Sequence, residues 1–163
     1  MPNHITNKLV VNADQEIIEF IFCTFDEFNS GNYKFSFNKS IQEPDYKNNI
    51  DYDWLNWRYD NWGTKWDAYD ITIIGYDRTQ IELIFQTAWT PPQKWLEKIS
   101  LKYPKLKCKL SWVDEDYPNS GFIEIKNGLI NCINYGYDIK AEEFVKREFP
   151  DLNIFTNKSI FMV

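Results

Sequence analysis

Residues 81–112 read as strand, helix, strand, and this run constrains the fold of the chain more than any other. Ile81, Leu83, Phe85 and Trp89 fall on one face of an alternating segment, as a strand with one buried side requires. Thr90-Pro91-Pro92 follows; Thr90 is placed to cap a helix, and proline costs little in a helix's first turn. Trp95, Leu96, Ile99 and Tyr103 form an apolar stripe at helical spacing, which Pro104 ends. Leu106, Cys108, Leu110 and Trp112 then alternate with Lys107, Lys109 and Ser111 as a half-buried strand. Elements that are each apolar on one side must close on one another, and a sheet carrying helices is the economical solution.

The flanking segments extend the pattern. Ile5–Asn12 reads as a strand with Leu9 and Val11 on one face and Val10 on the other. Asp14 reads as an N-cap for a helix over 14–28, with Ile17, Ile21, Phe25 and Phe28 at helical spacing. Tyr33, Phe35 and Phe37 alternate with polar residues as a short strand. Asp70–Tyr76 pairs with the strand from Ile81 through the turn Asp77-Arg78-Thr79-Gln80, and Asn127-Gly128 marks a two-residue hairpin between Phe122–Lys126 and Leu129–Tyr135. Ala141, Phe144, Val145 and Phe149 suggest a short C-terminal helix, followed by an apolar tail. The expected fold is therefore α+β: a single domain over residues 1–163, with a ferredoxin-like antiparallel sheet, the helices at 14–28 and 91–103 on one face, and an extra C-terminal hairpin. A tryptophan-rich insertion spans about 42–66 and a C-terminal extension about 136–163.

Composition narrows the function classes. A net charge of −6 disfavours binding to a phosphate backbone, which needs a basic footprint. No segment approaches the roughly 18 apolar residues of a membrane helix. Met1-Pro2-Asn3-His4 lacks the regions of a signal peptide, so a cytoplasmic protein is expected. Cys23, Cys108 and Cys132 stand among apolar residues as expected buried thiols. His4 is the sole histidine, and no phosphate loop, metal-finger or nucleophile-elbow motif occurs. Asp51, Asp53 and the Asp114-Glu115-Asp116 run are oxygen donors in type, but solvated loop carboxylates are the ordinary reading. No metal and no cofactor is expected.

Four of the seven tryptophans, Trp54, Trp57, Trp62 and Trp66, lie within thirteen positions. Asp53 can cap a short helix there and Gly63 suits the position just past its end; Trp54, Arg58 and Trp62 would share a face. A tryptophan offers up to roughly 250 Å² for burial, and four exposed rings would make a patch few monomers carry. Two readings follow. The segment is a small core under a long loop, or it is a surface on which Arg58 and Lys65 sit beside aromatic faces, able to stack a planar ligand and hold an anion.

Met1-Pro2-Asn3, Asn7-x-Leu9-x-Val11, Asn61-Trp62-Gly63-Thr64-Lys65-Trp66-Asp67, Phe85-x-Thr87-Ala88-Trp89-x-Pro91-Pro92 and Leu101-x-Tyr103-Pro104-x-Leu106 resemble the YubB-type ferredoxin-like domain. That family occurs in bacterial, plasmid and phage proteins of uncharacterised function. The resemblance covers residues 1 to about 128 and implies the fold; the acidic loop after Trp112 matches it loosely. By analogy it also implies a mobile-element role, such as countering host defence by blocking an effector or sequestering a signal molecule.

The first expectation is thus a non-enzymatic binding protein using Arg58, Trp62, Lys65, Trp66, Asp67, Trp89 and Thr90. Its partner would be a protein or a small anionic, nucleotide-like ligand, with nucleic acid and membrane disfavoured. A metal-assisted phosphoester-processing enzyme built on Lys65 and Asp67 is the alternative, and a purely structural domain the third reading. Trp62, Trp66 and Trp89 are expected to be buried together. If the two cations serve the fold, their expected partners are Asp60, Asp67 or Asp70.

Overall fold

In the computed structural model, which describes residues 3–45, 51–117 and 119–152, the alternating segments pair as one antiparallel sheet. β1 (His4–Asn12) is central, between β3 (Gln80–Ala88) and β4 (Lys107–Asp114). β2 (Tyr69–Tyr76) flanks β3, while β5 (Ser120–Lys126) and β6 (Leu129–Asn134) continue beyond β4, giving the order β2-β3-β1-β4-β5-β6. The run β2-β3-β1-β4 is the ferredoxin-like arrangement, and the last hairpin widens it. Its turn residues, Asn127 (φ 53°) and Gly128 (φ 74°), both take the left-handed conformation that a two-residue hairpin demands.

Ile5, Leu9 and Val11 of β1 bury their side chains on one face, with Leu83 and Phe85 of β3 and Cys108 and Leu110 of β4. Helix α1 (Gln15–Ile21) brings Ile18 and Ile21 to this core, and α5 (Gln93–Lys102) brings Trp95, Leu96 and Ile99. Both helices therefore cover the same face, as the alternation predicts.

Several expected elements differ. The helix expected over 14–28 is two helices, because Phe22 and Cys23 turn inward to fill the core. The second, α2 (Phe25–Ser30), begins at a capping box: the Glu27 amide donates to the Thr24 hydroxyl at 3.2 Å, and the Thr24 amide to the Glu27 carboxylate at 2.7 Å. Asp14 precedes α1 without a side-chain capping bond. Residues 33–38 form no strand; Phe35 and Phe37 are core plugs packed on Phe85 and Trp95, and Phe37–Ser40 is a single helical turn, α3. Cys23 and Cys108 are buried, but Cys132 is exposed on β6, where the added hairpin runs past the packed helices. Residues 46–50 of the insertion, and most of the apolar tail, lie outside the described residues.

The opposite face of the sheet is partly covered. Helix α6 (Ile139–Glu148) sets Phe144 and Val145, with Phe149 behind them, against Val113, Tyr117 and Phe122. Glu148 fixes its end by accepting from Lys109 Nζ at 2.9 Å, Ser111 Oγ at 3.0 Å and Arg147 Nε at 3.2 Å. Burial pushes the Glu148 carboxyl up, but the Lys109 ammonium and these hydrogen bonds prevail, and it lies below the ordinary carboxylate range. A depressed carboxyl contributes stability above its unfolded-state pKa and loses it as pH falls through the folded value. The unfolding free energy should therefore decline on acidification below the ordinary carboxylate range, and Glu148→Gln should make that decline shallower in denaturant titrations run at a series of acidic pH values. Among the described residues no helix is long and apolar enough to cross a membrane.

Candidate functional site

The tryptophan segment forms helix α4 (Trp54–Asn61), begun by Asp53, whose carboxylate accepts the Asn56 amide at 3.1 Å. It ends at Trp62, and Gly63 follows with φ 82°, the left-handed residue that closes a helix. Arg58 does share a face with two rings: its guanidinium lies 5.0 Å from the Trp54 ring centroid and 5.3 Å from that of Trp62. Its charge is matched by Glu43, through Nε at 3.0 Å and Nη2 at 2.9 Å, and Nη1 donates to the Lys65 carbonyl at 3.3 Å. Arg58 therefore ties the insertion together. Glu43, rather than Asp60, Asp67 or Asp70, is its partner.

The Asn-Trp-Gly-Thr segment is a docking device. The Trp62 carbonyl accepts the Trp95 amide at 3.2 Å, and the Gly63 carbonyl accepts the Thr90 hydroxyl at 2.6 Å. The Thr64 hydroxyl donates to the Ala88 carbonyl at 2.8 Å. The end of α4 is thereby fastened to the corner between β3 and α5. Thr90 is part of that fastening and does not cap α5, which starts after Pro92. The Trp62 ring is 1% exposed and donates from Nε1 to the Ile41 carbonyl at 3.0 Å. Asp67 caps α3 from a distance: its carboxylate accepts from Ser36 Oγ at 2.6 Å, the Phe37 amide at 2.6 Å, the Asn38 amide at 3.3 Å and the Ala68 amide at 2.7 Å. Trp62, Thr90 and Asp67 thus hold the fold, and so does Arg58.

Lys65, Trp66 and Trp89 remain at the surface, together. The Lys65 ammonium lies 4.2 Å from the Trp89 ring centroid and 5.8 Å from that of Trp66. Trp66 is 38% exposed and Trp89 44%, so the expected burial of all three tryptophans holds for Trp62 alone. The reason is local for Trp89: it stands just past the end of β3 with φ 75°, which swings its ring off the face of Ile81, Leu83 and Phe85. A bulky residue in that conformation is held there by its surroundings; here the Trp89 amide donates to the Asn3 carbonyl at 2.8 Å. Trp66 meets Tyr69 edge-on, and the Tyr69 hydroxyl pairs with His4 Nδ1. Burial, with Asp70 and Glu115 nearby, pushes the Tyr69 phenol up, so this ring stays neutral in ordinary buffers.

Trp89 and Thr90 also border a groove of about 580 Å³ between the β3–α5 corner and the floor of β4–β6, with Lys94, Trp112, Asp114 and Cys132 among its lining. Asp114 accepts from Asn3 Nδ2, the Asp116 amide and Asn119 Nδ2. The acidic loop is therefore cross-braced. Sequence reading missed Glu43, which has no local signal, and the anchoring role of Thr64, which lies inside the quoted motif.

The family model for the ferredoxin-like domain in Api92-like protein matches residues 61–148, more than half of the chain and starting at the docking segment just described. No curated protein and no solved structure matches the chain. The chain belongs to the family described as the ferredoxin-like domain in Api92-like protein.

Proposed function

We propose that this is a binding protein whose receiving surface is the Lys65–Trp66–Trp89 cluster at the rim of the groove, and that it takes a small ligand with a planar group and an anionic group. One observation carries the reading. Lys65 stands between two exposed indole rings, and among the described residues no carboxylate pairs with it. An exposed cation–π contact is worth about 0.5–1 kcal/mol, weak enough to leave the ammonium available to an anion. The rings beside it offer stacking to a planar group, and a nucleotide combines both features. Asp67, which an enzymatic reading would enlist, has both carboxylate oxygens engaged in capping α3 and its neighbours. The resemblance to YubB-type domains supports, by analogy alone, a setting on a mobile genetic element, where sequestering a nucleotide-like signal or blocking an effector would counter host defence.

The test begins with native mass spectrometry of protein purified from its own host, then titration of a nucleotide panel monitored by tryptophan fluorescence. Lys65→Ala and Trp89→Ala should each weaken binding by about tenfold or more, the value of a charged hydrogen bond or a stacked base. Arg58→Ala should affect folding rather than binding. Absence of any retained molecule together with a silent titration would sink the proposal.

A further inference from the structure

The two edges of the sheet are built differently. β2 is blunted: its pairing with β3 shifts register between Tyr69 and Thr72 and again between Ile73 and Gly75, and Asp70 takes φ 49°. Bulges and charge are the usual protection of an edge against another strand. β6 has neither. Leu129-Ile130-Asn131-Cys132-Ile133-Asn134 carries no charge and no proline, pairs with β5 in unbroken register, and is exposed at all six positions. Leu129, Ile130 and Ile133 are exposed apolar side chains, continued by Tyr137 and Ile139.

The direction of the free backbone groups follows from the hairpin. In a two-residue turn the flanking residues, Lys126 and Leu129, exchange hydrogen bonds, and partners alternate from there. The Tyr135 amide donates to the Ser120 carbonyl, in step with that alternation. Leu129, Asn131 and Ile133 therefore turn their backbone groups toward β5, and Ile130, Cys132 and Asn134 turn theirs outward. Three evenly spaced donor–acceptor pairs face away from the sheet, and among the described residues nothing hydrogen-bonds to them.

We infer that β6 pairs antiparallel with β6 of a second copy of this chain, joining two sheets across a two-fold axis. Outward-turned residues must oppose outward-turned residues. One allowed register sets Asn131 against itself, Leu129 against Ile133 and Ile130 against Cys132, so that apolar side chains meet apolar side chains on both faces. Each copy carries a net charge of −6, and an uncharged strand avoids like-charge opposition at the contact. The same register brings the hairpin tip with Lys126 alongside the Tyr135–Asp138 turn of the other copy, where Asp138 is the sole charge. A second copy is thus matched in backbone, side-chain chemistry and charge. This pairing stands independently of what the Lys65 cluster binds.

Sedimentation velocity on the full chain across the micromolar range tests it. A monomer–dimer equilibrium is expected, and Leu129→Lys or Ile133→Lys should weaken it by tenfold or more while leaving the thermal melt intact, because both side chains are exposed. Asn131→Cys in a Cys132→Ser background should form an intermolecular disulfide under mild oxidation, since facing residues in a non-hydrogen-bonded antiparallel pair sit within bridging distance. A monomer at every concentration overturns the inference and leaves the edge to a strand from a different protein. A dimer that tolerates both lysines and does not cross-link at position 131 overturns it as well.

Discussion

Trp62→Ala is expected to lower the free energy of unfolding by about 3–5 kcal/mol in urea denaturation, whereas Trp66→Ala and Trp89→Ala should each change it by less than about 1 kcal/mol. The three residues lie within one motif pair, yet their surroundings differ. Trp62 is sealed between Phe37, Trp57 and the Arg58 guanidinium, with its indole nitrogen satisfied by the Ile41 carbonyl. Truncation removes the apolar contact, strands that carbonyl and leaves Arg58 without one of its two stacking partners. Trp66 and Trp89 have water on one side, so their loss opens no cavity. Comparable losses at all three positions would show that the exposed pair is structural and would remove the basis for a binding surface there.

Gly63→Ala should cost about 2–4 kcal/mol by the same measurement, combining left-handed backbone strain with overpacking. At φ 82° an added methyl would sit 2.9 Å from the Lys94 amide nitrogen and 3.2 Å from that of Gln93. Both are backbone atoms, which cannot swing aside as a flexible side chain does. Gly31 supplies the control, since it has φ 71° and open space around it; Gly31→Ala should cost about 1 kcal/mol, the strain alone. Equal losses at the two glycines would mean that α4 is not pressed against α5.

The fold was legible because its signals are local. Period-two alternation marks β1, β3 and β4, the Trp95–Tyr103 stripe marks α5, and Asn127-Gly128 marks a hairpin. The break between α1 and α2 was also written locally, in the capping pattern Thr24-x-x-Glu27, and helical spacing across it masked the signal. Residues 33–38 were misread because alternating aromatics also suit a chain that dips its rings into a core from a loop. What decides between the two is Asp67, thirty residues away, which caps the turn at Phe37. Covering of the sheet's second face left a trace in the adjacent apolar Trp112 and Val113, both buried, on opposite sides of β4. The site was harder. Side chains at 58, 62, 65 and 66 read alike in sequence, but Glu43 claims Arg58 and a single backbone angle at Trp89 releases that ring to the surface. Glu43 lies 15 residues from Arg58, and the Asn3 carbonyl that accepts the Trp89 amide is more distant still, so neither partner is visible in the local sequence.

The joint between α4 and α5 has an electrostatic consequence. The Trp62 carbonyl at the end of α4 accepts the Trp95 amide in the first turn of α5, so the negative pole of one helix macrodipole rests on the positive pole of the next. A helix start of this kind is ordinarily a ready receptor for phosphate or carboxylate. Here the chain has occupied it with its own backbone. An anion drawn to this corner must therefore be held by side-chain charge, and Lys65 is the ammonium already stationed between the exposed rings.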